Sequence, residues 1–170
     1  MQVLFAPWRL RYVSGETGGG GGGCIFCEAF RSEDDRATLT LWRWKRTFAL
    51  LNRYPYTSGH VMIAPVEHQG TPFDVDDATF GEMMQRARTV MRALDLVYRP
   101  DGYNVGLNVG EAGGAGIREH LHLHVVPRWR GDTNFTTTTG ELRVVPESLE
   151  SAWEKLHDAL MDPAEGGRDG

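Results

Sequence analysis

With 170 residues the chain has the length of one ordinary domain, enough to bury a core without disulfide or metal staples. Its 41% hydrophobic and 24% charged residues are those of a globular protein, and no apolar run approaches the roughly 18–20 residues of a membrane span, which argues against a membrane role. A net charge of −5 argues against a general nucleic-acid coat, though it leaves room for a local cationic pocket that takes one polyphosphate.

The first residues, Met-Gln-Val-Leu-Phe-Ala-Pro-Trp-Arg-Leu-Arg-Tyr, show no basic segment followed by an apolar stretch, so no signal peptide is read and a cytoplasmic location is expected. Gly18 to Gly23 is a run of six glycines, a composition too flexible for a helix or strand. No Lys-Ser/Thr follows it to make a phosphate loop. Residues 1–23 are therefore expected to form an arm and linker, with Trp8 and Tyr12 packing somewhere, and residues 24–170 the domain with a C-terminal helical extension.

Thr38-Leu-Thr-Leu-Trp-Arg-Trp44 and Thr47-Phe-Ala-Leu-Leu-Asn52 read as two strands, and the turn Arg53–Gly59 leads into a third, His60-Val-Met-Ile-Ala-Pro65. Between about Asp76 and Tyr98, Phe80, Met83, Met84, Ala87, Val90, Met91, Leu94 and Val97 recur at three- and four-residue intervals. That spacing predicts one amphipathic helix of about six turns, stopped by Arg99-Pro100-Asp101-Gly102. Tyr103–Val109 and Glu119–Val126 follow as strands around a glycine-rich loop, Gly110–Gly116, and a last helix is expected over Pro146–Met161. The order predicts an α+β domain with an antiparallel sheet of about five strands.

Two constellations carry chemistry. Cys24 and Cys27, the only two cysteines, form C-x-x-C, half of a tetrahedral zinc site. The other ligands must come from His60, His68, His120, His122, His124 and His157. His68 follows the strand ending at Pro65 and His120 opens the histidine strand, so both can sit at one end of the sheet. The competing readings are partly buried thiols beside Ile25 and Phe26, or a redox pair. The second is disfavoured because the motif is not expected to open a helix.

The second constellation is His120-Leu-His122-Leu-His124. Alternate residues of a strand share a face, so three imidazoles line one side while Leu121, Leu123 and Val125 face the core. Neutral imidazole is nucleophilic near pH 7 and can attack phosphorus. His122, flanked on both sides, is the best oriented, and the upstream glycines let backbone N–H groups approach a phosphate. An open three-histidine zinc site and mere decoration of a solvated face are the alternatives.

His-φ-His-φ-His-φ-φ, with φ apolar, resembles the signature of the histidine triad (HIT) nucleotide-binding proteins. The resemblance spans Cys24 to Arg130 and includes Phe48-Ala-Leu-Leu-Asn52, Tyr54-Pro55, Gly59–Pro65 and Asn108-Val-Gly110. The flanks Ala6–Tyr12, Cys24-Ile-Phe-Cys27, Gly102–Asn108 and His124–Phe135 are similar to the bacterial diadenosine tetraphosphate phosphorylase or ATP adenylyltransferase branch. That resemblance implies a HIT-like fold and an adenosine polyphosphate substrate. His122 would attack the α-phosphate, His124 contact phosphate oxygens and His60 support the triad.

The resemblance further implies nucleotide contacts from Asn52 to the ribose, from Asn108 near the phosphates, and from the loop at Gly110, Gly116 and Ile117. It implies structural zinc on Cys24, Cys27, His68 and His120, no organic cofactor and a homodimer. One departure stands out. Many hydrolytic members place Gln with Ser or Thr three to four residues before the triad, whereas Gly116, Ile117 and Arg118 stand here, which leaves backbone N–H groups or Arg118 to meet the leaving group. The six-glycine run is a second feature that the resemblance does not account for. A non-catalytic nucleotide sensor and a phosphoramidase-type hydrolase are the rival functions.

Overall fold

Five strands pair antiparallel in the order β1-β2-β3-β5-β4: β1 Thr40–Arg43, β2 Thr47–Leu51, β3 Val61–Pro65, β4 Gly102–Leu107 and β5 Leu123–Arg128. Among the described residues four helices accompany them: α1 Ile25–Arg31, α2 Asp35–Thr38, α3 Asp77–Tyr98 and α4 Leu149–Met161. The structure, a computed structural model, describes residues 23–132 and 147–161, so the arm and linker expected over 1–23 lie outside the described residues except for Gly23.

Both faces of β2 and β3 are covered, which is why every residue of these strands is buried although strand side chains alternate. On one face, Ala49, Leu51, Val61, Ile63, Leu123 and Val125 meet Met83, Val90 and Leu94 of α3 and Leu156 and Leu160 of α4. On the other face, Phe48, Leu50, Met62 and Ala64 meet Phe26 and Ala29 of α1. Eighteen buried apolar residues make the first core and six the second, so burial stabilises mainly the first face.

Helix α3 follows its sequence pattern. The Asp76 side chain caps it by accepting from the N–H groups of Ala78 and Thr79 at 3.0 Å each. Arg99, at φ 47°, ends it just before Pro100. Met84, assigned to the apolar stripe, instead points to solvent.

Two local features differ from expectation. Cys24 does open a helix: its carbonyl accepts from the Glu28 N–H at 2.9 Å as the N-cap residue of α1. The histidine strand also starts late, at Leu123, so His120 and His122 precede it. Pro65 supplies the reason. It lacks the N–H that would carry the β3–β5 ladder beyond the Ile63–Leu123 pair. The Leu121 N–H donates to the Gln69 carbonyl instead, which holds the segment without a partner strand.

Candidate active site

The histidines gather on the α1 face of the sheet. Met62 pairs with His124, and His60 stands two residues before Met62, so both project to the same side. Gly59 makes the turn into His60 at φ 74°, where a Cβ would lie 2.8 Å from Leu94 Cδ2 and 2.9 Å from Tyr98 Cε2.

His122 is buried, and its Nδ1 lies 2.8 Å from the His120 carbonyl oxygen. A carbonyl only accepts, so Nδ1 carries the proton and the lone pair sits on Nε2. Burial pushes the His122 imidazole below its ordinary range, with the His120 carbonyl pulling the other way. Nε2 makes no hydrogen bond among the described residues. A neutral, oriented imidazole with a free Nε2 is a nucleophile.

His60 and His124 form a chain whose proton positions follow from main-chain donors. The Tyr56 N–H donates to His60 Nδ1 at 3.2 Å, and Asn52 Nδ2 stands 3.4 Å from the same atom. Asn52 Oδ1 accepts the Tyr54 N–H at 2.9 Å, which turns the NH₂ of this amide toward His60. His60 therefore carries its proton on Nε2 and donates it to His124 Nδ1 at 2.9 Å. His124 is left with its own proton on Nε2, 3.4 Å from the Asn108 amide, which offers its oxygen when flipped. The Tyr56 ring lies over both imidazoles, with centroids 4.6 Å from His60 and 6.1 Å from His124.

His120 is held by a different set of partners. Its Nε2–H donates to the Pro65 carbonyl at 2.9 Å, leaving the Nδ1 lone pair toward Cys24 Sγ at 3.3 Å and Cys27 Sγ at 3.6 Å. His68 Nδ1 lies 3.3 Å from Cys27 Sγ, and the ligand atoms of Cys24, Cys27, His68 and His120 all fall within 4.8 Å of one another. Zinc bonds of about 2.0–2.3 Å in a tetrahedron place ligand atoms roughly 3.3–3.8 Å apart, a range that the three sulfur–nitrogen contacts meet, so the donor set fits zinc. Burial pushes the Cys24 thiol up, against the first amides of α1, and burial lowers His120. The metal reading thus gains the two histidines that a redox pair does not need.

Arg43 ties α1 to the sheet. Its guanidinium donates to the carbonyls of Ala29 and Ser32 at 3.0 Å each, and to Asp35 Oδ1 at 2.5 Å, satisfying carbonyls that the end of a helix leaves open. Phe26, fully buried between the two cysteines in sequence, lies with its ring 5.0 Å from His120 and 4.8 Å from His122. Arg43, Tyr56 and Phe26 were not singled out as site residues from sequence. Only Phe26 had a signal, an aromatic held between the two cysteines of the C-x-x-C motif.

The glycine loop is tighter than a simple phosphate cradle. The N–H groups of Gly114 and Ala115 donate within it, to Glu111 and Gly110 carbonyls at 2.9 and 3.1 Å. Those of Gly116 and Ile117 make no hydrogen bond among the described residues, and Ile117 packs on the α1 cluster. Gly110 is exposed at φ 69°. Arg118 is exposed and ion-paired with Glu111 at 2.8 Å. His157 stays outside the site, stacked on Trp153 in α4 at 4.6 Å.

Residues 36–131 match the HIT domain. The chain belongs to the HIT family. Among relatives of this HIT protein is the AP-4-A phosphorylase of Mycobacterium tuberculosis, 36% identical over 155 residues that cover 88% of this chain and 79% of the relative. The adenosine 5'-monophosphoramidase of Schizosaccharomyces pombe is 23% identical over 137 residues, covering 81% and 98% of the two chains. Among solved structures, a zinc-bound histidine triad family protein from Mycobacterium smegmatis superposes with a TM-score of 0.67 at 27% identity, covering 81% of this chain and 93% of that one. The HIT assignment and the five-stranded α+β fold expected from sequence both hold. No helix among the described residues is long and apolar enough to cross a membrane.

Proposed function

We propose that this HIT protein transfers a nucleotidyl group from a diadenosine tetraphosphate-like adenosine polyphosphate through a covalent nucleotidyl-histidine. The observation that carries the reading is the His122 imidazole, with Nδ1–H on the His120 carbonyl and a free Nε2. In the first step the Nε2 lone pair attacks the α-phosphorus, forming an N–P bond as the P–O bond to the leaving polyphosphate breaks. Water or inorganic phosphate then attacks the same phosphorus. The N–P bond breaks and its electron pair returns to Nε2.

His124 supplies a neutral N–H donor to the phosphate oxygens, held in that tautomer by His60. Nucleotide contacts are assigned to Asn52, Asn108, Gly110, Gly116, Ile117 and His124. Gly116 and Ile117 are favoured within the loop because their N–H groups are not spent inside it. Asn52 Oδ1 accepts the Tyr54 N–H with one lone pair and keeps the second for a ribose hydroxyl. The AP-4-A phosphorylase likeness, covering most of both chains, favours this substrate class over a phosphoramidate.

Cys24, Cys27, His68 and His120 would hold zinc, which supplies structural cross-linking when bound. The exposed edge of β4, at Asn104, Val105 and Gly106, supports a homodimer. Two free cysteines poised for a metal support the cytoplasm. The experiment is incubation with diadenosine tetraphosphate with and without phosphate. ATP with ADP marks phosphate as acceptor, ATP with AMP marks water, and binding without product would make the chain a nucleotide sensor.

A further inference from the structure

Two short paths join the metal-ligand cluster to the nucleophile. The first runs through one residue. His120 is fixed at both ring nitrogens, by the Pro65 carbonyl at 2.9 Å and by the cysteine sulfurs at 3.3 and 3.6 Å. Its own carbonyl is the acceptor that holds His122 Nδ1–H at 2.8 Å. No strand ladder holds residues 120–122, so beside the Leu121 N–H bond to the Gln69 carbonyl this segment takes its position from such side-chain ties.

The second path runs through Phe26. Helix α1 carries Cys24 and Cys27 to the cluster and places the ring between them against both imidazoles, tilted 40° to His120 and 33° to His122. Phe48 of β2 backs that ring edge-on at 6.5 Å. Opening of the cluster would free the N-terminal end of α1, which carries the ring, while Arg43 still holds the far end.

We propose that Phe26 and the four-ligand cluster act as one positioning unit for His122, so that filling the cluster sets the rate of nucleotidyl transfer and leaves nucleotide affinity nearly unchanged. The proposal rests on the assignments of His122 as nucleophile and of the cluster as a zinc site. It gives the C-x-x-C motif a part in the reaction rate without contact with the substrate. Phe26 and His120 are positioning residues here, acting through the His122 ring.

The test uses the full chain labelled with ¹⁵N-histidine, reading the His122 Nδ1–H signal, zinc per chain, AMP affinity by calorimetry, and kcat and KM on diadenosine tetraphosphate. Phe26→Leu is expected to keep its zinc and to bind AMP within about threefold, while kcat falls roughly tenfold to a hundredfold and the Nδ1–H signal weakens. Phe26→Met carries the same readouts if the leucine variant does not fold. His68→Asn removes the exposed ligand, and kcat is expected to track the zinc bound as it is added back, with KM within about threefold.

A zinc-loaded Phe26 variant with wild-type kcat and an unchanged Nδ1–H signal would overturn the proposal. So would a kcat indifferent to zinc occupancy. If zinc-loaded wild type makes no product from diadenosine tetraphosphate, the nucleotidyl-transfer reading fails. The dependence of the His122 signal on zinc and Phe26 still decides the coupling by itself.

Discussion

The two faces of the sheet bury the same strands to different ends. The α3/α4 face is aliphatic, broad and built from two long helices, with Leu94, Val90 and Leu156 closing on Val61, Ile63 and Val125. The α1 face is narrow and aromatic, and its polar groups are the histidines and cysteines. A seven-residue helix contributes little stability of its own, so α1 depends on Arg43 and on the cluster of Cys24, Cys27, His68 and His120. Stability and chemistry are thus divided by the plane of β2 and β3, and substitutions on the two faces should fail in different ways.

The largest expected effect belongs to His122→Asn on the α1 face. Turnover should fall by on the order of 10³ or more while the melting temperature stays close to wild type, read by steady-state kinetics and thermal unfolding. Cys27→Ser should lose the zinc, roughly one per chain, that elemental analysis of the wild type is expected to give, at a stability cost on the order of several kcal/mol, read by denaturant titration with and without zinc. On the other face, Leu94→Ala should cost about 3 kcal/mol in unfolding free energy, with kcat of the folded fraction unchanged. A loss of kcat there, at full folding, would break the division of labour.

Smaller effects sharpen it. His60→Ala removes the group that fixes the His124 tautomer and should lower kcat roughly tenfold to a hundredfold. The exposed Arg118–Glu111 pair should matter least, with Arg118→Gln changing stability by less than about 1 kcal/mol. A clear rise in KM for that variant would assign Arg118 to the polyphosphate.

The aliphatic face was the more legible in the sequence. Met83, Ala87, Val90 and Leu94 lie at helical spacing and are buried as that spacing requires, and Leu121, Leu123 and Val125 alternate into the same core. On the α1 face, residue types were legible and backbone was not. Cys24, Cys27, His68 and His120 meet as expected, yet the helix they anchor is too short for its periodicity to register. The late start of β5 is set by a proline on a neighbouring strand, a tertiary effect no local pattern shows. The tautomers of His60 and His122 depend on the Tyr56 N–H and the His120 carbonyl, groups every residue carries.

The most direct measurement is a rapid-quench reaction with diadenosine tetraphosphate labelled at the α-phosphate, followed by peptide mapping of the labelled protein. Covalent nucleotidyl transfer predicts an acid-labile label on His122 that forms and decays at rates compatible with turnover. Turnover at full rate with no protein-bound label, or with the label on another residue, would contradict it.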